Sequence, residues 1–177
     1  MSLEENKETL ILVNENDLEI GSCFKLEAHE KKLLHRAFSI FVYNDKNELL
    51  IQQRADCKYH SAGLWANTCC GHPRHGENIK DAAERRLREE LGFSTDLEKV
   101  YEHQYTADVG KGLVENEYVH IFVGKYSSEF QPNPEEVQNF RWISTDQLKK
   151  ELTDQPDQFA PWIKIYHQKM DIDFLLY

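Results

Sequence analysis

Glu115 and Glu117 stand two residues apart in a stretch rich in aromatic and β-branched residues. Alternate residues of a strand share a face, so both carboxylates would point the same way, with Cα atoms about 7 Å apart. Like charges that close repel unless a cation or a proton lies between them. An exposed sheet face would account for the pair alone. His29, His35 and His72 are the nitrogen donors available to join it. Three imidazoles and two carboxylates make a mixed nitrogen and oxygen site suited to Mg²⁺, Mn²⁺ or Zn²⁺. On one straight strand His29 and His35 would lie about 20 Å apart. Sharing an ion therefore requires the chain to bend, which the charged run Glu30, Lys31, Lys32 permits.

A second constellation sits on a helix. At 3.6 residues per turn, Ile79, Ala82, Ala83 and Leu87 form an apolar stripe within residues 78–91, and Arg86 and Glu90 fall inside it. Four residues apart, these two charges are neighbours. Burying them is costly unless they pair or bind something. They are either a structural ion pair or a site at the helix surface. Cys69 and Cys70 precede this helix. Adjacent thiols make only a strained disulfide, and their spacing is not that of a zinc finger. A small buried Cys is the plain reading of either, although Cys70 abuts Gly71 at the mouth of the helix loop.

The elements that must hold these groups follow from the pattern. A strand is expected over 10–13 with a turn at 14–17, and a hairpin of 34–43 with 49–53 about a turn at 44–47. An irregular loop follows over 55–63. The clearest helix is 78–91, stopped by Gly92. Long strands are expected over 97–107 and 114–126, a Pro-containing loop over 131–136 and a strand over 137–143. Helices follow over 145–152 and 161–170, with Pro161 suited to a first turn. Strands with a few helices predict a mixed α/β sandwich.

Composition sets the outer limits. In 177 residues, 40% are hydrophobic and 29% charged, a globular composition able to bury a core. It is too apolar for a disordered chain and too polar for a membrane protein. The net charge of −10 disfavours nucleic acid and anionic membranes as partners. An anionic ligand would need clustered Lys and Arg or a metal. The four cysteines form no disulfide framework, and the start MSLEENKE has no apolar leader, so a cytoplasmic setting is expected. The absence of a strong exposed apolar stripe suggests a monomer.

From Gly71 the chain reads GHPRHGENIKDAAERRLREELGF. This resembles the Nudix box at Gly71, Glu77, Arg85, Leu87, Glu89, Glu90, Gly92 and, loosely, Phe93. Arg86 stands where that box has Glu. Nudix hydrolases gather helix carboxylates around Mg²⁺ to cut a diphosphate. A guanidinium in place of one carboxylate can itself grip phosphate. The resemblance implies the Nudix fold, here a single domain over 1–177 whose first thirty or so residues extend it and help form the site.

Further segments, LLHRAFSIFVYN, LLIQQRA, WANTCCGHP, YTADVGKGLVENE and FAPW, together with the altered box, resemble the type I isopentenyl-diphosphate isomerases. That resemblance covers nearly the whole chain. It implies interconversion of isopentenyl and dimethylallyl diphosphate by protonation and deprotonation through a carbocation. It further implies that Cys70 and Glu117 are the acid/base pair, that Tyr105 helps position or relay the proton, and that His29, His35, His72, Glu115 and Glu117 hold an octahedral metal. Glu90 and the Cys70 carbonyl would hold a second Mg²⁺ with the diphosphate. Lys25, Arg54, Lys58 and Arg86 would grip that diphosphate, and Trp162 would face the isoprenyl carbons. One spacing departs: His29 and His35 are six apart, where bacterial members have seven. The competing expectations are a Nudix hydrolase acting on a prenyl or nucleoside diphosphate, a binder without turnover, and a thiol redox role for Cys69 and Cys70.

Overall fold

The computed structural model describes residues 8–58 and 60–169. Its elements, in chain order, are strands Thr9–Val13 (β1) and Glu19–Phe24 (β2), helix Lys25–Glu30 (α1), strands His35–Tyr43 (β3), Leu49–Arg54 (β4), Trp65–Ala66 (β5) and Cys69–Gly71 (β6), helix Ile79–Leu91 (α2), strands Leu97–Gly110 (β7), Leu113–Lys125 (β8) and Val137–Ile143 (β9), and helices Thr145–Asp154 (α3) and Pro161–Lys169 (α4).

The aromatic and β-branched run of β3 is buried almost end to end, as a strand covered on both faces must be. It runs parallel to β8 from His35↔Glu117 to Tyr43↔Lys125, and antiparallel to β6 with Ser39 opposite Cys70. The expected hairpin with β4 pairs only at Tyr43↔Leu49. Beyond that point β4 turns away to pair with β9 and β5. All the strands join one sheet.

The period of two along β3 sorts its side chains onto two faces. Ala37, Phe41 and Tyr43 join one core cluster with Leu148 of α3 and Ile163 and Tyr166 of α4. Phe38, Ile40 and Val42 join another with Ala82, Ala83 and Leu87 of α2. Full burial of a side chain such as Leu87 contributes about 1.5–3 kcal/mol. Helices thus cover both faces of a mixed sheet, as the expected α/β sandwich requires.

The ends of α2 follow sequence chemistry. Asn78 is its cap, the side chain accepting from the Lys80 amide. Gly92 ends it at φ 77°, and a Cβ there would lie 2.5 Å from the Gln131 carbonyl. At Gly71 a Cβ would sit 3.0 Å from the Phe38 ring and 3.2 Å from Arg86, so β6 can pass this close to α2 only without a side chain. Glu77 braces the loop between them. It accepts from Arg85 at 2.7 and 2.9 Å and from the Arg74 amide at 2.8 Å.

Four elements escaped the pattern. β2 alternates between exposed and half-buried positions and has no core face to read. The six residues of α1 are too few for a helical period. β5 and β6 have two and three residues. The strand expected over 97–107 continues to Gly110. Met170 of the expected last helix, and residues 1–7 of the extension, lie outside the described residues. Among the described residues no helix is long and apolar enough to cross a membrane.

Gly92→Ala should lower stability by about 1–2 kcal/mol from the left-handed backbone alone, and further through the Gln131 clash. Gly76 has a similar φ of 75° with nothing near its missing Cβ, so Gly76→Ala should cost less. Urea midpoints of the two variants test this, and equal losses would refute the clash. Arg85 hydrogen bonds hold the Glu77 carboxyl below its usual range. Its contribution is present above the unfolded value of about 4.3 and is lost as pH falls through the lower folded value. Glu77→Gln should therefore destabilise at pH 7, with the gap to wild type narrowing in acid. A gap independent of pH would contradict it.

Candidate active site

The β3–β8 register places His35 beside Glu117, and Glu115 lies two residues earlier on the same face of β8. The bend demanded between His29 and His35 is present. α1 carries His29, Lys32 turns the chain at φ 56°, and the Leu33 amide closes onto the Ala28 carbonyl. His72 follows directly on β6. His29, His35, His72 and Glu115 each place one donor atom within 4.8 Å of the others. Glu117 flanks them, its Oε1 3.2 Å from His72 Nε2 and 3.8 Å from His35 Nε2. All five expected ligands converge, and the shortened spacing does not displace His29, whose Nε2 lies 3.0 Å from Glu115 Oε2.

A sixth residue was not anticipated. His60 places Nε2 3.2 Å from Glu115 Oε1. It comes from the irregular loop after β4 and carried no spacing signal. Its proximity to Glu115 is created by the loop's path alone.

Burial decides the electrostatics. Glu115 and Glu117 are 4% and 7% exposed. Burial works to raise Glu115, but the imidazoles of His29, His35 and His60 facing it overcome this and hold that carboxyl well below its usual range. Glu117 receives less help. Burial, reinforced by the charge of Glu115, lifts it to about 8. Burial alone would lower His35, but Glu115 and Glu117 prevail and raise it. Burial holds His72 well below its usual value, and Lys25 and His35 add to this. His35 Nδ1 bonds the Leu33 carbonyl at 2.8 Å, which turns Nε2 toward the carboxylates. That Nε2 and Glu115 Oε2 are buried atoms without a hydrogen-bond partner. Buried polar atoms are normally satisfied, and two such atoms 3.4 Å apart, with His29 and His72 beside them, fit a divalent ion. The imidazole fixed by a carbonyl behind it is the usual form of a histidine ligand.

Across β3 from Glu117 lies Cys70. Its Sγ donates to Asn67 Oδ1 at 3.2 Å and lies 3.3 Å from Ser39 Oγ. Asn67 is held by donating to the carbonyls of Ile40 and Cys69 at 3.0 and 3.1 Å. Its Oδ1 also accepts from Trp162 Nε1 at 3.2 Å. Burial pushes the Cys70 thiol up to about 12, and Glu117 and Glu90 add to this against the Ser39 and Asn67 bonds. Tyr105, opposite Glu117 in the register, donates to its Oε2 at 2.5 Å. Ser39 and Tyr166, 2.8 Å apart, close the floor between the two sides.

Three of the four basic groups meet a carboxylate of the chain. Lys25 pairs with Glu8 at 2.7 Å and Lys58 with Glu136 at 2.7 Å. Arg86 meets Glu90, Glu89 at 2.8 Å and Glu136 at 3.5 Å. The helix wheel's structural ion pair is thus formed, and Gln52 donates to the other oxygen of Glu90 at 2.8 Å. Burial works to raise Glu8, but Lys25, His72 and Arg86 hold it at about 2. Arg54 stands 5.3 Å from the Trp162 ring centre. Trp162 itself is 4% exposed.

Residues 33–163 match the NUDIX domain family model. The fold resembles a crystal structure from Deinococcus radiodurans with TM-score 0.76 at 17% identity, covering 92% of this chain and 98% of that one. It also resembles a MutT protein from Methanosarcina mazei with TM-score 0.64 at 17% identity, covering 80% and 95%. In sequence the chain is 50% identical over 155 residues to the isopentenyl-diphosphate Delta-isomerase of Serratia proteamaculans, covering 88% of this chain and 87% of that protein. It is 49% identical over 156 residues to the Burkholderia multivorans isopentenyl-diphosphate Delta-isomerase, covering 88% and 89%. With a NUDIX domain over most of its length and relatives this close across nearly all of theirs, the chain belongs to the isopentenyl-diphosphate Delta-isomerase family of Nudix-fold proteins.

Proposed function

We propose that the protein interconverts isopentenyl and dimethylallyl diphosphate, with Cys70 and Glu117 as its two proton-transfer groups. The observation that carries this reading is their placement. They are two acid/base groups on strands flanking β3, the thiol bonded to Asn67 and the carboxyl to Tyr105 and His72.

Moving the double bond requires one proton added to the terminal methylene and one removed from the carbon on the far side of the branch. Addition leaves a tertiary carbocation, and removal returns the electron pair to the new alkene. One group gives a proton and the other takes one, so the protein regains its proton count over a turnover. Both groups are raised toward their protonated forms in this environment, so either can serve as the acid for an unactivated alkene, while the other must be ionised to take the proton that leaves. Tyr105 fixes the Glu117 carboxyl and can pass its proton along the same bond. Trp162 is aimed by its bond to the Asn67 oxygen that also accepts a hydrogen bond from the thiol. An indole face stabilises a cation by about 2 kcal/mol in a dry site.

His29, His35, His72, Glu115 and Glu117 would hold a divalent ion of the Mn²⁺, Mg²⁺ or Zn²⁺ class. Such an ion lowers the charge repulsion of the two carboxylates and tunes the acidity of Glu117. Glu90 and the Cys70 carbonyl are the groups that would hold Mg²⁺ entering with the diphosphate. Lys25, Arg54, Lys58 and Arg86 are the diphosphate grips. Three of these trade an internal carboxylate for phosphate on binding, which keeps the charge neutralised throughout. Arg86 in place of a box Glu favours holding a diphosphate over cutting it. The first thirty or so residues belong to the same single domain, because they carry Lys25 and His29. Four free cysteines suit a reducing cytoplasm, and we take the working form as a monomer.

Incubation with isopentenyl diphosphate and Mg²⁺ in D₂O, followed by proton NMR, should give dimethylallyl diphosphate carrying deuterium. Cys70→Ala and Glu117→Gln should each abolish it. Release of phosphate or a monophosphate would instead establish a hydrolase. The raised thiol of Cys70 also predicts slow alkylation. Iodoacetamide at pH 7.5 should label exposed Cys57 about a hundredfold or more faster than Cys70, as read by peptide mass spectrometry. Comparable rates would show that the thiol is not held protonated.

A further inference from the structure

We infer that His60 is a positioning residue for Glu115, fixing which carboxylate oxygen faces the three histidines and so setting the affinity of the site for a divalent ion. The inference rests on reading that cluster as a metal site.

The two oxygens of Glu115 have different surroundings. Oε1 lies 3.2 Å from His60 Nε2, whereas Oε2 lies 3.0 Å from His29 Nε2 and 3.4 Å from His35 Nε2. The terminal torsion of a glutamate is broad and roughly two-fold, so packing alone specifies it poorly. A directional donor on one oxygen removes that freedom and leaves the other oxygen aimed into the cluster. His60 supplies such a donor in either protonated form, because Nε2 carries a hydrogen in both the Nε2–H tautomer and the imidazolium.

His60 is itself firmly placed. It is 6% exposed. Its ring meets the Trp162 indole edge-on at 6.0 Å and 86°. Its backbone carbonyl accepts from Arg54 Nη2 at 3.3 Å. One loop residue therefore touches the cluster carboxylate, the indole proposed to face the isoprenyl carbons, and an arginine proposed to grip the diphosphate. A histidine that only filled space would need none of its polar atoms directed at Glu115. A neighbour that orients a ligand in this way typically changes metal affinity by 10–100-fold when removed.

The test is Mn²⁺ binding to the full chain, followed by the electron paramagnetic resonance signal of the free ion. His60→Phe keeps a ring without a donor. His60→Gln places an amide N–H near the position of Nε2, and His60→Asn places one too short to reach Glu115. The expected result is a 10–100-fold weaker Mn²⁺ dissociation constant for the Phe and Asn variants, with His60→Gln recovering most of the loss. Melting temperatures in EDTA should match wild type for His60→Gln and His60→Asn, which keeps the comparison independent of whether His60→Phe folds. Wild-type affinity in His60→Asn, or equal weakening in His60→Gln and His60→Asn, would overturn the inference. Failure of wild type itself to bind Mn²⁺ would overturn the metal reading beneath it, a result distinct from either.

Discussion

Two carboxylates buried side by side on β8 are the constraint around which the site is arranged. Glu115 and Glu117 lose most of their hydration and face each other's charge, so each needs compensation from the rest of the chain. The compensation is unequal. Glu115 gathers His29, His35 and His60 and stays ionised, while Glu117 is left with Tyr105 and the edge of the cluster and holds a proton. That asymmetry gives two chemically equivalent side chains opposite proton affinities, one lowered and the other raised.

The geometry of β3 makes this arrangement possible. A strand paired on both sides presents its neighbours' side chains at set lateral positions, so His35 meets Glu117 on one side and Ser39 meets Cys70 on the other. Cys70 and Glu117 are thus placed by backbone pairing and not by loops. The helix α2 lies on the other face and carries the Arg86 and Glu90 pair. With an overall charge of −10 the chain cannot attract an anion by its long-range field. Its local cations Lys25, Lys58 and Arg86 are each paired with a carboxylate, Glu8, Glu136 and Glu90.

Much of this was legible in the residues. The stripe of 78–91 located α2, and the two charges inside that stripe offered the ion pair that Arg86 and Glu90 form. The alternation of 114–126 put both glutamates on one face, and the incompatibility of a straight strand with a shared ion required the bend that α1 and Lys32 supply. The motif resemblance named the remaining residues and the family. Less legible were the short elements. β2, α1, β5 and β6 contain too few residues to show a period, and they form because longer neighbours give them a partner.

The sequence by itself determined the local facts: which residues are apolar at helical or strand spacing, where Asn78 and Gly92 must begin and end a helix, and which titratable groups share a face. Those depend on interactions within a few residues, which spacing encodes. Only the tertiary structure decided what depends on distance through space. It set His60 against Glu115, placed Asn67 between the thiol and the indole, and made Glu115 an anion and Glu117 an acid. Proton affinity in a buried site is a sum over charges and lost water from β3, β6, β8, α1 and a loop at once, and no stretch of sequence contains that sum.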